Sequence, residues 1–144
     1  MANERLRIAP DDAYIAALGR AAYIFAGLEW DVVWCCERRL KAGYIKTVGK
    51  KTAGMIANDF LGFIAAIPDA EERRLYPGDE FKRLVDVRNG IMHGHPGTVS
   101  GSGEQRLFRA GKAWTLDEVN RAADEFAVCV LALNKLIHGP LQVP

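Results

Sequence analysis

Residues 12–35 read DAYIAALGRAAYIFAGLEWDVVWC, and this stretch decides the fold class. Within it Tyr14, Leu18, Ala21, Phe25, Leu28, Val32 and Cys35 recur in alternating steps of four and three. That spacing lays one apolar stripe along a helix, as in helices that pack lengthwise on their neighbours. Pro10-Asp11-Asp12 supplies a start, because an aspartate there can accept from the free amides of the first turn and complement the dipole. Gly43 supplies a stop. Gly19 and Gly27 weaken the helix locally and permit close approach of another helix.

Three further helices follow. The second begins between Thr47 and Thr52 and ends at Pro68, with Met55, Ile56, Phe60, Phe63, Ile64 and Ile67 on one face. Asp69 to Tyr76 makes room for a short extra turn before Pro77-Gly78 breaks the chain. The third helix runs from about Asp79 to His93, with Phe81, Leu84, Val85, Val87, Ile91 and Met92 mainly inward, and Gly94-His95-Pro96-Gly97 stops it. Residues 97–103 are rich in glycine and serine and read as a mobile loop. Gln105–Arg109 and Lys112–Trp114 flank Ala110-Gly111 as a small hairpin. Thr115-Leu116-Asp117-Glu118 is a capping box that opens the last helix, which Gly139-Pro140 closes after His138.

Short connections make consecutive helices antiparallel. The expected fold is therefore all-α: an antiparallel up-down four-helix bundle, with a small hairpin or irregular insert before the last helix, in one domain over residues 1–144.

A chain of 144 residues is long enough to bury a real core. Its 49% apolar and 26% charged residues are the balance of a soluble globular protein, and charges interrupt every apolar run before it reaches a membrane span. Met1 to Pro10 carries Glu4, Arg5 and Arg7 and no apolar signal-peptide core, so a cytoplasmic location is the expectation. Cys35, Cys36 and Cys129 have neither C-x-x-C nor zinc spacing and read as reduced, packed thiols. No cofactor or metal is implied. The net charge of +1 excludes a strongly basic nucleic-acid binder, but an enzyme needs only a local basic site.

Arg88-Asn89-Gly90-Ile91-Met92-His93 holds the chemistry. A guanidinium suits phosphate, and an imidazole moves protons near neutral pH. Five residues advance a helix by about 500°, so the two side chains point about 140° apart. Converging on one phosphate needs a deformed helix end at Gly90 or Gly94, or a second subunit. In the up-down topology this end of the third helix meets Arg38 to Lys51, a stretch with Arg38, Arg39, Lys41, Lys46, Lys50 and Lys51 and no acid. The hairpin residues Arg106, Arg109 and Lys112 emerge there too, so positive charge is expected to gather beside His93.

The Arg-Asn pair, the spacing to His93 and its place at the end of a third helix resemble the R-x4-6-H signature of the HEPN superfamily. Its members are small all-α proteins that include many metal-independent ribonucleases, toxins and antiviral effectors among them. The resemblance implies a homodimer whose two motifs line a cleft and cut RNA with the RNA's own 2′-hydroxyl. His93 would be general base or acid, Arg88 the stabiliser of the phosphorane, and Asn89 an orienting group. Lys46, Lys50, Lys51 and His95 would bind RNA. In toxins paired with a nucleotidyltransferase antitoxin the motif extends to R-x4-H-x-Y, and here His95 stands in the tyrosine position. A protein antitoxin or activator is a further implied partner.

Each residue also has a plainer reading. Arg88 can pair with Glu29 on a neighbouring helix, and His93 and His138 can be simple helix caps. Glu29, in an otherwise apolar helix, is expected at the surface edge of the seam. Trp30 and Trp34 are read as core or dimer-interface packing, with base stacking the alternative. The non-catalytic alternative for the whole chain is a HEPN-type dimerisation or partner-binding module.

Overall fold

The computed structural model describes residues 9–139. The charged segment before Ala9 and the terminator Pro140 lie outside the described residues. Helix α1 spans Asp12–Cys35, capped by Asp11, whose carboxylate accepts from the Tyr14 amide at 2.9 Å. Tyr14, Ala21, Phe25, Leu28, Val32 and Cys35 of the expected stripe are buried. Leu18 is half-buried, and Ala17 takes the inner place beside it. Past Cys35 the helix widens into one π turn, Cys36–Leu40, before Gly43 ends the run at φ +89°. The Glu37 carboxylate fixes that ending by accepting from the amides of Gly43 and Ile45.

A 3-10 run, Tyr44–Lys50, leads to α2 at Ala53–Ala65, where Thr52 caps the Met55 amide. Helix α3 is the expected short turn, Ala70–Arg73. Helix α4 covers Gly78–Met92 with His93 as its C-cap, and α5 covers Leu116–His138 behind the Thr115–Glu118 capping box. The chain is thus mostly helical. No helix among the described residues is long and apolar enough to cross a membrane.

Three short strands interrupt the helices: β1 (His95–Thr98), β2 (Gln105–Arg109) and β3 (Lys112–Ala113), antiparallel in the order β1-β2-β3. The β2–β3 hairpin turns on Ala110-Gly111, both at positive φ (51° and 79°), as a two-residue type I′ turn requires. Strand β1 replaces part of the expected mobile loop. Its glycine and proline are turn-formers by composition, but an edge strand tolerates Pro96. Gly97 serves packing: a Cβ there would meet Phe108 Cδ1 at 2.8 Å.

Helix directions depart from simple alternation. The Tyr14 hydroxyl donates to the Trp114 carbonyl at 2.8 Å, Arg20 bonds Asn120, and Phe25 meets Phe126 edge-on at 5.1 Å. Helices α1 and α5 therefore run side by side in the same direction. The Trp114 indole N–H reaches the Gly90 carbonyl at 2.9 Å and Arg83 pairs with Glu125 at 3.0 Å, so α4 runs against α5 and against α1. Alternation presumes tight turns. Residues 41–52 instead form the 3-10 run, with Tyr44 and Lys51 both bound to Asp59 inside α2 (2.9 and 2.5 Å). It is the end of α2, at Leu61 and Ile64, that meets the start of α4 at Gly78.

The centre is aromatic. Phe25 stacks on Phe81 at 6.1 Å, and Phe60 sets an edge against Phe81 and Tyr76 at 6.4 Å each. Cys35, Cys36 and Cys129 are buried and unpaired, and burial pushes the Cys35 and Cys129 thiols up to about 12. Trp114 wedges α5 onto the end of α4, where a Cβ on Gly90 would lie 2.9 Å from its ring. Gly90→Ala gains roughly 1 kcal/mol of helix propensity but overpacks a ring already fixed by its N–H. A net loss of about 1 kcal/mol is expected as a lower urea midpoint, and an unchanged or higher midpoint contradicts the wedge.

Candidate active site

Arg88 shares the inner face of α4 with Phe81 and Leu84, so it points at α1 rather than at solvent. One turn of α1 presents Phe25 and Glu29 to it. The guanidinium lies over the Phe25 ring at 4.6 Å, and its Nη2 is 3.8 Å from Glu29 Oε2. That separation is an ion pair but too long for a hydrogen bond. Nε is buried without a partner, and Arg88 makes no hydrogen bond among the described residues. Burial pushes the Glu29 carboxyl above its ordinary range, and Arg88 offsets only part of this. The Glu29 pairing foreseen for Arg88 is present, with both side chains partly exposed, and such a pair contributes about 0–1 kcal/mol.

His93 caps α4 at φ −96°, ψ 11°, and its amide still bonds the Asn89 carbonyl at 3.0 Å. Its side chain is exposed and makes no hydrogen bond among the described residues. Asn89 is half-buried between them. Gly90 stays helical, and at Gly94 the backbone is pressed against β2, a Cβ there meeting Leu107 Cβ at 3.0 Å. The helix end is therefore held rather than unwound, and the 140° splay persists. Within one chain Arg88 faces α1 while His93 faces solvent.

His95 is exposed at the start of β1, opposite Phe108, and the hairpin brings exposed Arg109 and Lys112 to the same end. The third hairpin cation behaves otherwise. Arg106 is only 8% exposed, stacked over Tyr14 at 4.3 Å and paired with Asp11 at 2.8 Å and Glu104 at 2.9 Å. It anchors the sheet to the start of α1, with the Leu107 amide donating to the Tyr14 hydroxyl. By its place in the sequence Arg106 reads as free charge. The flanking Glu104 and the capping Asp11 were the available signal that an inward arginine had partners.

Lys46, Lys50 and Lys51 do not join this site. They follow the far end of α1, fixed there by Glu37 and Asp59, while His93 sits beside the sheet and Trp114 at the near end. The expected joint basic end fails because α4 returns antiparallel to α1. Lys51 is also neutralised, bound to Asp59 and set over the Tyr44 ring at 5.0 Å.

The Asp59 carboxyl is held below its ordinary range, first by the Lys51 hydrogen bond and also by the Tyr44 hydroxyl. Burial, with Asp59 beside it, pushes the Tyr44 phenol up. A lowered carboxyl adds stability above its unfolded pKa of about 3.9, lost as pH falls through the folded value. Asp59→Asn should flatten the fall in melting temperature below pH 4 relative to the parent chain; parallel acid limbs contradict the assignment.

Among the described residues no group of three or more His, Cys, Asp or Glu is placed to hold a metal. Comparison of the chain with family models, curated proteins and solved structures returned no match.

Proposed function

We propose that the protein is a HEPN-like, metal-independent endoribonuclease that works as a homodimer, its four longer helices forming the bundle of that family. The observation that carries the reading is Arg88: a guanidinium seated on Phe25 with its hydrogen-bonding capacity unspent, five residues before an exposed, unbonded His93. A buried unsatisfied N–H is costly, and an anionic ligand supplies what it lacks.

In the proposed reaction the 2′-oxygen attacks the adjacent phosphorus and the P–O5′ bond breaks, leaving a 2′,3′-cyclic phosphate and a 5′-hydroxyl. His93 takes the proton from the 2′-hydroxyl, and a protonated imidazole returns one to the leaving oxygen. Arg88 stabilises the added charge on the phosphorane, and Asn89 orients the phosphate. Because the two side chains splay within one chain, the second imidazole or guanidinium comes from the other subunit. His95, Arg109 and Lys112 supply local attraction for the RNA backbone. Purified protein should cleave RNA, and each of Arg88→Ala and His93→Ala should abolish it; cleavage surviving both would falsify the reading.

One observation favours a non-catalytic dimerisation or partner-binding module. Arg88 already has Phe25 and Glu29 as intramolecular company, which suffices for a structural tie. On that reading Glu29→Gln and Arg88→Ala lose similar stability and neither touches any cleavage.

A further inference from the structure

One face of α1 carries Tyr23, Gly27, Trp30, Trp34 and Arg38 at steps of four, three, four and four, continuing through the π turn. Tyr23 is 83% exposed and Trp30 50%. Trp30 and Trp34 meet edge to face at 6.1 Å, and the Arg38 guanidinium lies over Trp34 at 5.2 Å. Gly27 leaves open space between Tyr23 and Trp30, with nothing within 4 Å of where its Cβ would be. Exposed rings of this size are a liability on a bare surface.

Along Ala13 to Asn58 the exposed charges have one sign. They are Arg20, Arg38, Lys41, Lys46 and Lys50. The acids of that stretch are half-buried. Glu29 lies by Arg88, Glu37 on the amides of Gly43 and Ile45, and Asp59 beyond them on Lys51, while burial pushes the Asp31 carboxyl above its ordinary range. An apolar partner leaves those cations unused. A ligand with flat rings on a phosphate chain uses rings and cations together.

We propose that this face of α1 and the lysine-bearing segment after it form a docking surface for single-stranded nucleic acid. Bases stack on Tyr23 and Trp30, and phosphates follow Arg38, Lys41, Lys46 and Lys50. The proposal takes its natural ligand, RNA, from the ribonuclease reading, and gives that RNA a grip at the end of α1 remote from His93.

The test is fluorescence anisotropy with a labelled 2′-O-methyl oligouridine of about 16 nucleotides, which cannot supply an attacking 2′-hydroxyl. Combined Tyr23→Ala and Trp30→Ala should weaken binding about tenfold or more. Lys46→Ala with Lys50→Ala, exposed positions that leave the core untouched, should weaken it and flatten its salt dependence by about 1.4 in log–log slope. Lys82→Ala, an exposed lysine on α4 with no part in either surface, should leave it unchanged, and RNA cleavage measured on the same variants separates failure of the catalytic reading from failure of this one. Absence of binding at low salt overturns the proposal, as does equal affinity in parent and variants. A dimer-to-monomer shift in sedimentation for the Tyr23→Ala, Trp30→Ala protein also overturns it, assigning the face to a second copy of the chain.

Discussion

Arg88→Lys is expected to lower kcat for RNA cleavage by about a hundredfold or more while the protein stays folded. Loss of one preorganised donor to a developing oxyanion costs about 10²–10³ in rate. Lysine keeps the charge and the aliphatic stem over Phe25 but loses the planar fork that meets two phosphate oxygens at once. Stability should change little, because the only carboxylate within 4 Å of Arg88 among the described residues stands 3.8 Å away and the pair is partly exposed. Single-turnover cleavage alongside a thermal melt separates the two effects. A kcat within a few-fold of the parent contradicts a transition-state role.

Phe25→Ala is expected to cost about 3–5 kcal/mol, a large part of the 5–15 kcal/mol that holds an ordinary domain together. Phe25 is buried where α1, α4 and α5 meet, stacked on Phe81 and edge-on to Phe126. The same ring is the floor under Arg88, so core and site share a side chain. The milder Phe25→Leu keeps most of the volume but removes the aromatic face, and should reduce cleavage more than it reduces stability. Urea titration of both variants checks this. A loss below about 1 kcal/mol for Phe25→Ala places the core elsewhere.

Local signals were readable wherever backbone chemistry is local. Asp11, Thr52 and Thr115 cap the helices that follow them, and Ala110-Gly111 turns the hairpin. The apolar stripe of α1 told which residues go inward, because periodicity depends on neighbours along the chain. Direction did not follow. The choice between alternating and parallel packing rests on how residues 41–52 cross from α1 to α2, and they cross as a 3-10 run held by Glu37 and Asp59 rather than as a tight turn. From that single link came the error that put Lys46, Lys50 and Lys51 beside His93. Strand β1 was hidden because Pro96 and Gly97 signal turns, while their strand pairing depends on Leu107 and Arg106. At the site, the splay of Arg88 and His93 followed from helical geometry alone. The seat of Arg88 on Phe25, and its unspent N–H groups, needed three dimensions.

The most direct test of the central claim is the chemistry of the cut ends. An RNA oligonucleotide and its all-2′-deoxy counterpart are incubated with the protein in the presence of EDTA, and the product termini are mapped. A reaction run by Arg88 and His93 yields a 2′,3′-cyclic phosphate on one fragment and a 5′-hydroxyl on the other, leaves the deoxy strand whole, and stops with His93→Ala. Cleavage of the deoxy strand, 5′-phosphate ends, or undiminished cutting by His93→Ala contradicts it.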